Sequence, residues 1–442
     1  MPANYVLLET IHLTSSTASV VLDNIPQTGY TDLKVVLSVR NASSGIGTVR
    51  MGFNGSTASN YNYRQLQANG GSTLTTSTGL SAASTANEIA LTNGNTSTAN
   101  TFTNSEIHIP NYTSSVAKSW SVDSVEEENA TTAYTRITSG LWTLTNSISS
   151  ITFTLDAGSF AQNSTFSVYG LAATGTTPAI APKATGGNIV ANDGTYWYHA
   201  FLSSGNFTPL QTLTCDYLVI AGGGSGGSAY EGGGGGAGGL RSTVGTTGGG
   251  GSLESPLSLS AQSYSVIIGA GGTSVNPERN GIAGSNSTFA TITSIGGGYG
   301  ACGGNNEPGG SGGSGGGTAR SLGAGSGTTG QGYAGGNGGG DVAGGGGGAG
   351  GAGSGSGGGG AAVAISTWAS PTSTGISNYY AGGGGGGNSA AGGGGGAGAG
   401  GYTAATSAAA NTGSGGGGAR TYSPGSSGNG GSGLVIVRYA MA

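Results

Sequence analysis

The stretch DYLVIAGGGSGGSAYEGGGGGAGGLRS (216–242) decides how this chain is read. Residues 217–220 are large and apolar, one aromatic and two of them β-branched, which is strand composition. They pass without a polar loop into a run in which almost every residue is glycine. The same junction recurs in reverse order near residue 433, where Gly433 leads directly into LVIVRY (434–439). A flexible tail has no use for a hydrophobic strand at its far side. The glycine runs are therefore excursions between strands of one β-frame, with further frame strands expected at 195–201, 264–268 and 288–295.

Glycine accounts for 100 of the 442 residues, 16 of them in 1–200 and 84 in 201–442. The dense part divides into five tracts: 222–239, 296–317, 335–360, 382–401 and 413–433. The third, GGNGGGDVAGGGGGAGGAGSGSGGGG, holds 18 glycines in 26 residues. Such segments have no side chains from which to build a core, and ordering them costs about 1–2 kcal/mol per residue. Two outcomes are open. The tracts are disordered Gly/Ser loops, or they form extended threefold helices that bond laterally through N–H and C=O groups, each bond contributing about 0.5–1.5 kcal/mol. Similar tract lengths (about 55–80 Å if extended at about 3.1 Å per residue), intervening segments of other composition, and only four charged residues in the tracts (Glu231, Glu307, Asp341, Arg420) favour the second. GxGxxG recurs by composition alone. No helical pattern with a later acidic residue follows it, and no Lys-Ser/Thr closes a P-loop, so it carries no nucleotide signal.

Residues 1–172 read as strands almost throughout: 5–13, 19–25, 33–40, 48–53, 88–91, 106–109, 120–122, 133–145, 151–155 and 166–171. Turn clusters such as Asn54-Gly55-Ser56 and Asn93-Gly94-Asn95 separate them. In SSITFTLD (149–156) the apolar residues alternate, placing Ile151, Phe153 and Leu155 on one face. About ten short strands in this span predict an antiparallel, jelly-roll-like β-sandwich. ATGTTPAIAPKATGG (173–187) has linker composition, and 188–442 forms the glycine-rich domain. The fold class is all-β.

Chemistry-bearing residues are sparse. Glu126-Glu127-Glu128 reads as a solvated acidic loop, because adjacent carboxylates do not converge on a cation. His12, His108 and His199 read as strand residues, and no Ser/His/Asp grouping follows from their spacing. Cys215 and Cys302 lie 87 positions apart with no CxxC. Small buried thiols are expected, their pairing is left open, and zinc is not indicated. No cofactor is expected. The net charge of −5 with 12 Lys+Arg and no basic block argues against a nucleic-acid partner. No run approaches 18 apolar residues, and MPANYVLLETIHLT lacks the basic and apolar regions of a signal peptide.

PQTGYTDLKVVLSVR (26–40), FNGSTASNYNYRQL (53–66), EIHIPNYTSS (106–115), SSITFTLD (149–156) and STFSVYGL (164–171) together resemble a β-sandwich domain of bacteriophage virion proteins found in tail fibres and appendages. That family has no catalytic signature. The tract at 216–242, with SYSVIIGAGG (263–272), GSNSTFATITSIGGGYG (284–300) and GGSGLVIVRYA (430–440), resembles the glycine-rich domain at the C-termini of phage tail proteins. It is similar in principle to the polyglycine-helix sandwich of T-even-type phage adhesins, whose tip loops contact the host receptor.

These resemblances imply a virion fibre or receptor-binding protein that attaches to host cells by multivalent binding. The implied partners are other phage structural proteins and a host surface glycan or outer-membrane receptor. A homotrimer is expected by analogy with phage fibres. The alternative is a structural head, neck or tail appendage without receptor contact. An ice-binding or fibrous role, and a capsular depolymerase, which needs paired carboxylates over a cleft, fit the residues less well. Loops displayed on a rigid scaffold usually carry binding. The largest, AAVAISTWASPTSTGISNYYA (361–381), nominates Trp368, Tyr379 and Tyr380 as aromatic receptor contacts, with Tyr402, Tyr422 together with Arg420, and Tyr299 as smaller candidates.

Overall fold

The computed structural model describes residues 5–68, 74–84, 87–128, 132–173, 181–276, 278–304, 307–320, 322–387, 390–420 and 425–441. The chain divides into two compact units, one of Met1–Pro182, Asn188–Trp197 and Met441–Ala442, the other of Lys183–Gly187 and Tyr198–Ala440. Of the expected linker, 174–180 lies outside the described residues, and its far end forms a short strand, Ala184–Thr185.

The first unit begins with β1 (Tyr5–His12), β2 (Ser19–Leu22), β3 (Tyr30–Val39), β4 (Gly47–Phe53), β5 (Tyr61–Ala68) and β6 (Leu74–Ser84). It continues with β7 (Asn87–Thr92), β8 (Thr103–Ile109), β9 (Lys118–Glu128), β10 (Thr132–Trp142), β11 (Ile151–Leu155) and β12 (Thr165–Ala172). Next come β13 (Ala184–Thr185), which belongs to the second unit, and β14 (Ile189–Asn192), which antiparallel pairing to β1 ties to the first. Strands β14-β1-β12-β3-β8-β9-β10-β5-β6 lie side by side, and β2-β11-β4-β7 form a second sheet. Their apolar faces share one core. Leu33, Val35, Leu37 and Val39 of β3 and Val49, Met51 and Phe53 of β4 all belong to it, each with no exposed surface. The alternation read at 149–156 is borne out, since Ile151, Phe153 and Leu155 are the buried residues of β11.

The acidic run is not a solvated loop. Glu126, Glu127 and Glu128 end β9, and strand alternation turns Glu126 inward, where it is 1 % exposed. Burial lowers the pKa of Arg136, on the paired strand β10. The charges of Glu88, Tyr63 and Glu126 oppose that shift.

After β15 (Tyr196–Phe201), whose residues from Tyr198 onward belong to the second unit, β16 (Gly205–Pro209), β17 (Leu213–Ile220), β18 (Leu240–Ser242), β19 (Leu257–Leu259) and β20 (Tyr264–Ile267) are followed by β21 (Ser287–Phe289) and β22 (Ile292–Ser294). Then come β23 (Val363–Ala364), α1 (Ser366–Thr372), β24 (Tyr379–Tyr380) and β25 (Leu434–Ala440). The frame read from the sequence is present: β17 and β25 pair antiparallel, with Ile220 opposite Leu434 and Asp216 opposite Arg438.

Between these strands the glycine tracts are ordered. Gly222, Ser225 and Ser228 donate their N–H groups to the carbonyls of Ser285, Ile282 and Arg279; Gly223 and Gly226 donate to Gly431 and Gly428; Gly224 and Gly227 donate to Gly236 and Gly233. Every third residue bonds to the same neighbouring segment, which is the repeat of the extended threefold helix. Segment 232–239 continues the rule. Residues 232, 235 and 238 donate to 419, 416 and 413, residues 233, 236 and 239 to 301, 298 and 295, and residues 234 and 237 to 344 and 347. The carbonyls of the same segment accept from 221–227, 314–317 and 384–387, so six neighbouring segments surround it. These N···O distances are about 2.7–3.2 Å. An ideal Cβ on Gly235 would lie 2.1 Å from the carbonyl oxygen of Gly224, so only glycine permits this approach.

One expectation is corrected here. The first tract does not run straight for its full length. It folds back at Ala229-Tyr230-Glu231 into two antiparallel helices, and seven residues at about 3.1 Å each make the first of them only about 22 Å long.

Candidate functional site

A bundle of side-chain-free helices has two ends at which side chains can collect. The base is where helices meet strands: Ile220 of β17, Leu240 of β18 and Leu434 of β25 all adjoin tract residues. The opposite end, the tip, is the turn Ala229-Tyr230-Glu231 with its lateral neighbours. Gly232 donates to the carbonyl of Ala419, Gly233 to that of Ala301, and Ser228 to that of Arg279.

The aromatic candidates separate between these places. The loop 361–381 lies at the base, and its centre is the seven-residue helix α1. Trp368 is fully buried there. Its indole N–H donates to Ser242 Oγ at 3.0 Å, its ring meets Tyr198 edge-on with centroids 6.3 Å apart, and the Arg438 guanidinium sits 5.2 Å from its centroid. Arg438 is in turn paired with Asp216 at 3.0 Å. Tyr380 is also fully buried, its hydroxyl 2.7 Å from Thr374 Oγ1 and its pKa pushed up by burial. These two side chains staple the base and cannot offer a face to a partner. Tyr379 remains 44 % exposed beside them. Tyr299 is half-buried on the flank of the bundle, against Gly310. Tyr422 lies outside the described residues. Of the five described candidates, Tyr402 alone is brought to the tip, and it is 59 % exposed.

At the tip, Tyr402 and Arg420, the latter also named as a smaller candidate by the sequence reading, are joined by three residues that the reading did not nominate: Tyr230, Glu231 and Arg320. Glu231 is half-enclosed by two cations, with Arg320 Nε 3.4 Å from one carboxylate oxygen and Arg420 Nε 3.6 Å from the other. The Arg320 guanidinium lies 5.4 Å from the Tyr230 ring centroid, and that of Arg420 lies 5.4 Å from the Tyr402 ring. Each arginine is therefore held by a carboxylate and by an aromatic ring, an arrangement that orients the guanidinium plane.

The backbone beneath this cluster is strained. Ala229, Tyr230 and Glu231 have φ of 65°, 45° and 57°, and Arg320 has φ of 53°. Each costs about 1–2 kcal/mol relative to a residue in its ordinary region, and glycine would adopt the same turn without that cost. This chain places glycine almost everywhere around them. The side chains of Tyr230, Glu231 and Arg320 are kept at positions where the backbone favours glycine, and strain of this kind gathers at functional sites. The available signal was their isolation: Tyr230 and Glu231 are the only large residues inside the first tract.

Among the described residues, no group of three His, Cys, Asp or Glu side chains is placed to hold a metal ion. Cys215 and Cys302 are both buried and are not bonded to each other. Burial, with the charge of Asp216 adding to it, pushes the Cys215 thiol up to about 12. His199, a strand residue of β15, is buried between the Gly186 carbonyl and the Tyr439 hydroxyl and lowered by that burial to about 4.

Fold and site together define an all-β protein that carries a laterally bonded glycine-helix bundle with its polar and aromatic side chains gathered at the ends. A family model described as "Glycine-rich domain" matches residues 202–440, more than half of the chain, and the protein belongs to that family. No curated protein and no solved structure matches the chain.

Proposed function

We propose that this protein is an external appendage component of a bacteriophage virion, a fibre or receptor-binding protein, and that the tip of its glycine bundle contacts the host cell. The first unit serves attachment to other virion proteins. The observation that carries the reading is the tip itself. A scaffold almost devoid of side chains ends in Tyr230, Glu231, Arg320, Tyr402 and Arg420, three of them on left-handed backbone that glycine would adopt more easily. Aromatic rings and guanidinium groups on a rigid support suit a surface glycan or an outer-membrane protein. Binding by each tip is weak, and repetition across a homotrimer and across the particle supplies avidity.

The test uses the full chain, fluorescently labelled and incubated with a panel of bacterial species, with bound fluorescence read by flow cytometry. Saturable labelling of at least one species, lost on Tyr402→Ala with Arg420→Ala, is expected. No saturable labelling across the panel, or labelling unaffected by the pair of substitutions, rejects the tip as the adhesive surface. Light scattering tests the trimer separately, and a stable monomer at micromolar concentration contradicts it.

A further inference from the structure

We infer that the tip is an anion site, built to take the carboxylate or phosphate group of an acidic saccharide between Arg320 and Arg420. The inference rests on the receptor-binding reading and names the ligand chemistry of the same surface.

The bonding pattern of the two arginines carries it. Each meets Glu231 through Nε, at 3.4 Å and 3.6 Å, on opposite oxygens of one carboxylate. A guanidinium carries five N–H donors. Among the described residues, the side-chain hydrogen bonding of Arg320 goes to Glu231 alone. The terminal amino groups, which form the paired edge that grips oxyanions, are left for a ligand. One carboxylate facing two guanidinium groups also leaves the trio one positive charge in excess. The Arg320 and Arg420 side chains are 48 % and 35 % exposed, whereas that of Glu231 is 11 % exposed. The carboxylate therefore lies beneath, as the fixing point, and the cations lie above it.

The rings complete the recognition surface. Tyr230 and Tyr402 each lie beside one arginine, and Tyr402 keeps more than half of its surface open. A flat aromatic face next to a fixed cation matches a sugar ring bearing one charged substituent. Other charges stand near this end. Arg279 follows Glu278 beside the last residue of the first helix, and Glu307 bonds to Asn280. Among the described residues, the ion pairs of Arg320 and Arg420 go to Glu231 and not to these acids. Left-handed φ at Tyr230, Glu231 and Arg320 places ring, anchor and cation on backbone held by the bundle, so the site is formed before any ligand arrives.

Calorimetric titration of the full chain at low ionic strength provides the test. The probes are tetragalacturonate, its carboxyl-reduced neutral counterpart, mannose 6-phosphate and mannose. At least one anionic probe should bind at least about tenfold more tightly than its neutral counterpart, with affinity falling as salt is raised. The double variant Arg320→Gln, Arg420→Gln should lose that preference and keep the wild-type melting temperature. Preference for the uronate identifies a carboxylate source and preference for the phosphosugar a phosphate source, and either upholds the inference. Equal binding of charged and neutral probes, no binding of either anion, or a preference that survives the double substitution overturns it. The same variant goes through the cell panel. Cells that bind variant and wild type alike overturn the anion site and leave adhesion standing. An intact preference with no labelled cells overturns adhesion and leaves the site.

Discussion

Gly235→Ala should damage the second unit more than any loss of one methyl-sized contact elsewhere. Gly235 lies in the helix that six others surround. Its N–H donates to Gly416 at 2.9 Å and its carbonyl accepts from Gly384 at 2.9 Å. A Cβ built there falls 2.1 Å from the oxygen and 2.7 Å from the carbon of Gly224, both backbone atoms with no rotamer to move. The helix 222–228 has to shift by about an ångström, which weakens the bonds Gly224 to Gly236, Gly227 to Gly233 and Gly416 to Gly224. Three bonds at about 1 kcal/mol each, with about 1–3 kcal/mol of overpacking, give about 4–6 kcal/mol. At about 2–4 °C per kcal/mol for a unit of this size, the transition should fall by about 10–20 °C. Gly339→Ala is the matched control. No heavy atom lies within 4 Å of its Cβ position and its φ is outside the left-handed range, so restricting the unfolded chain should raise stability by about 0.4–1 kcal/mol. Differential scanning calorimetry of the full chain reads both. A Gly235→Ala transition within about 2 °C of wild type, or two shifts of the same sign, would refute the claim that close backbone packing holds the bundle.

Trp368→Ala removes a fully buried side chain together with its bond to Ser242 and should cost about 3–5 kcal/mol; an unchanged melt would show that the base is held by other groups. Arg320→Gly relieves a left-handed residue and loses only a partly exposed ion pair, so stability should hold or rise by up to about 1 kcal/mol while ligand binding falls. A clear loss of stability would make Arg320 a structural residue. The two units should respond to acid in opposite directions. His199, lowered to about 4, stays neutral while the unfolded chain takes up a proton below 6.5, so stability of the second unit declines from pH 6.5 to 4 by up to about 3 kcal/mol. Glu9 is raised to about 7 because burial outweighs the donors Asp23 and Asn24. The unfolded chain ionises above 4.5, so the first unit loses up to about 3 kcal/mol as pH rises from 4.5 to 7. Melts across pH 4 to 7 should show the two transitions moving oppositely, with Glu9→Gln flattening the first. Transitions that move together would contradict both assignments.

The β-frame was legible because its strands mark themselves twice, by β-branched runs and by the glycine on either side. Ile151, Phe153 and Leu155 were legible by alternation alone. Strand β5 was not, since YNYRQLQA buries only Tyr61 and Gln65 and shows no apolar period. Glu126 was misplaced because three adjacent acids suggest solvent, whereas a strand sends alternate residues inward whatever their charge. Helix α1 escaped notice because seven residues with Pro371 among them are too few to display a period, and so short a helix loses little by lacking one N–H. Composition supported an ordered bundle, yet glycine does not mark where a tract turns, so the hairpin at Ala229-Tyr230-Glu231 was visible only as an interruption. The candidate site suffered from choosing aromatics by size. Trp368 and Tyr380 are large and lie in a non-glycine loop, but Trp368 is taken up by Arg438 and Tyr198, 70 and 170 residues away in sequence, and Tyr380 is buried with its hydroxyl on Thr374.

The threefold bonding of the glycine helices also raises a problem of alignment. When each helix bonds to a given neighbour at every third residue, sliding it by three restores each bond that the slide breaks. Backbone energy alone therefore leaves several alignments nearly degenerate. The few buried residues that are not glycine act as index marks. Ser225 accepts from the N–H of Ile282 at 2.8 Å, Ser414 donates to the Gly395 carbonyl at 2.7 Å, and Ala237, Ala301 and Ala419 fill positions with no exposed surface. A slip of three would carry these side chains to places where a neighbouring carbonyl leaves room only for hydrogen. Replaced by glycine throughout, the tracts would keep their lateral bonds and lose their single alignment. A handful of serines and alanines, rather than the hundred glycines, tells the bundle which of its equivalent arrangements to adopt.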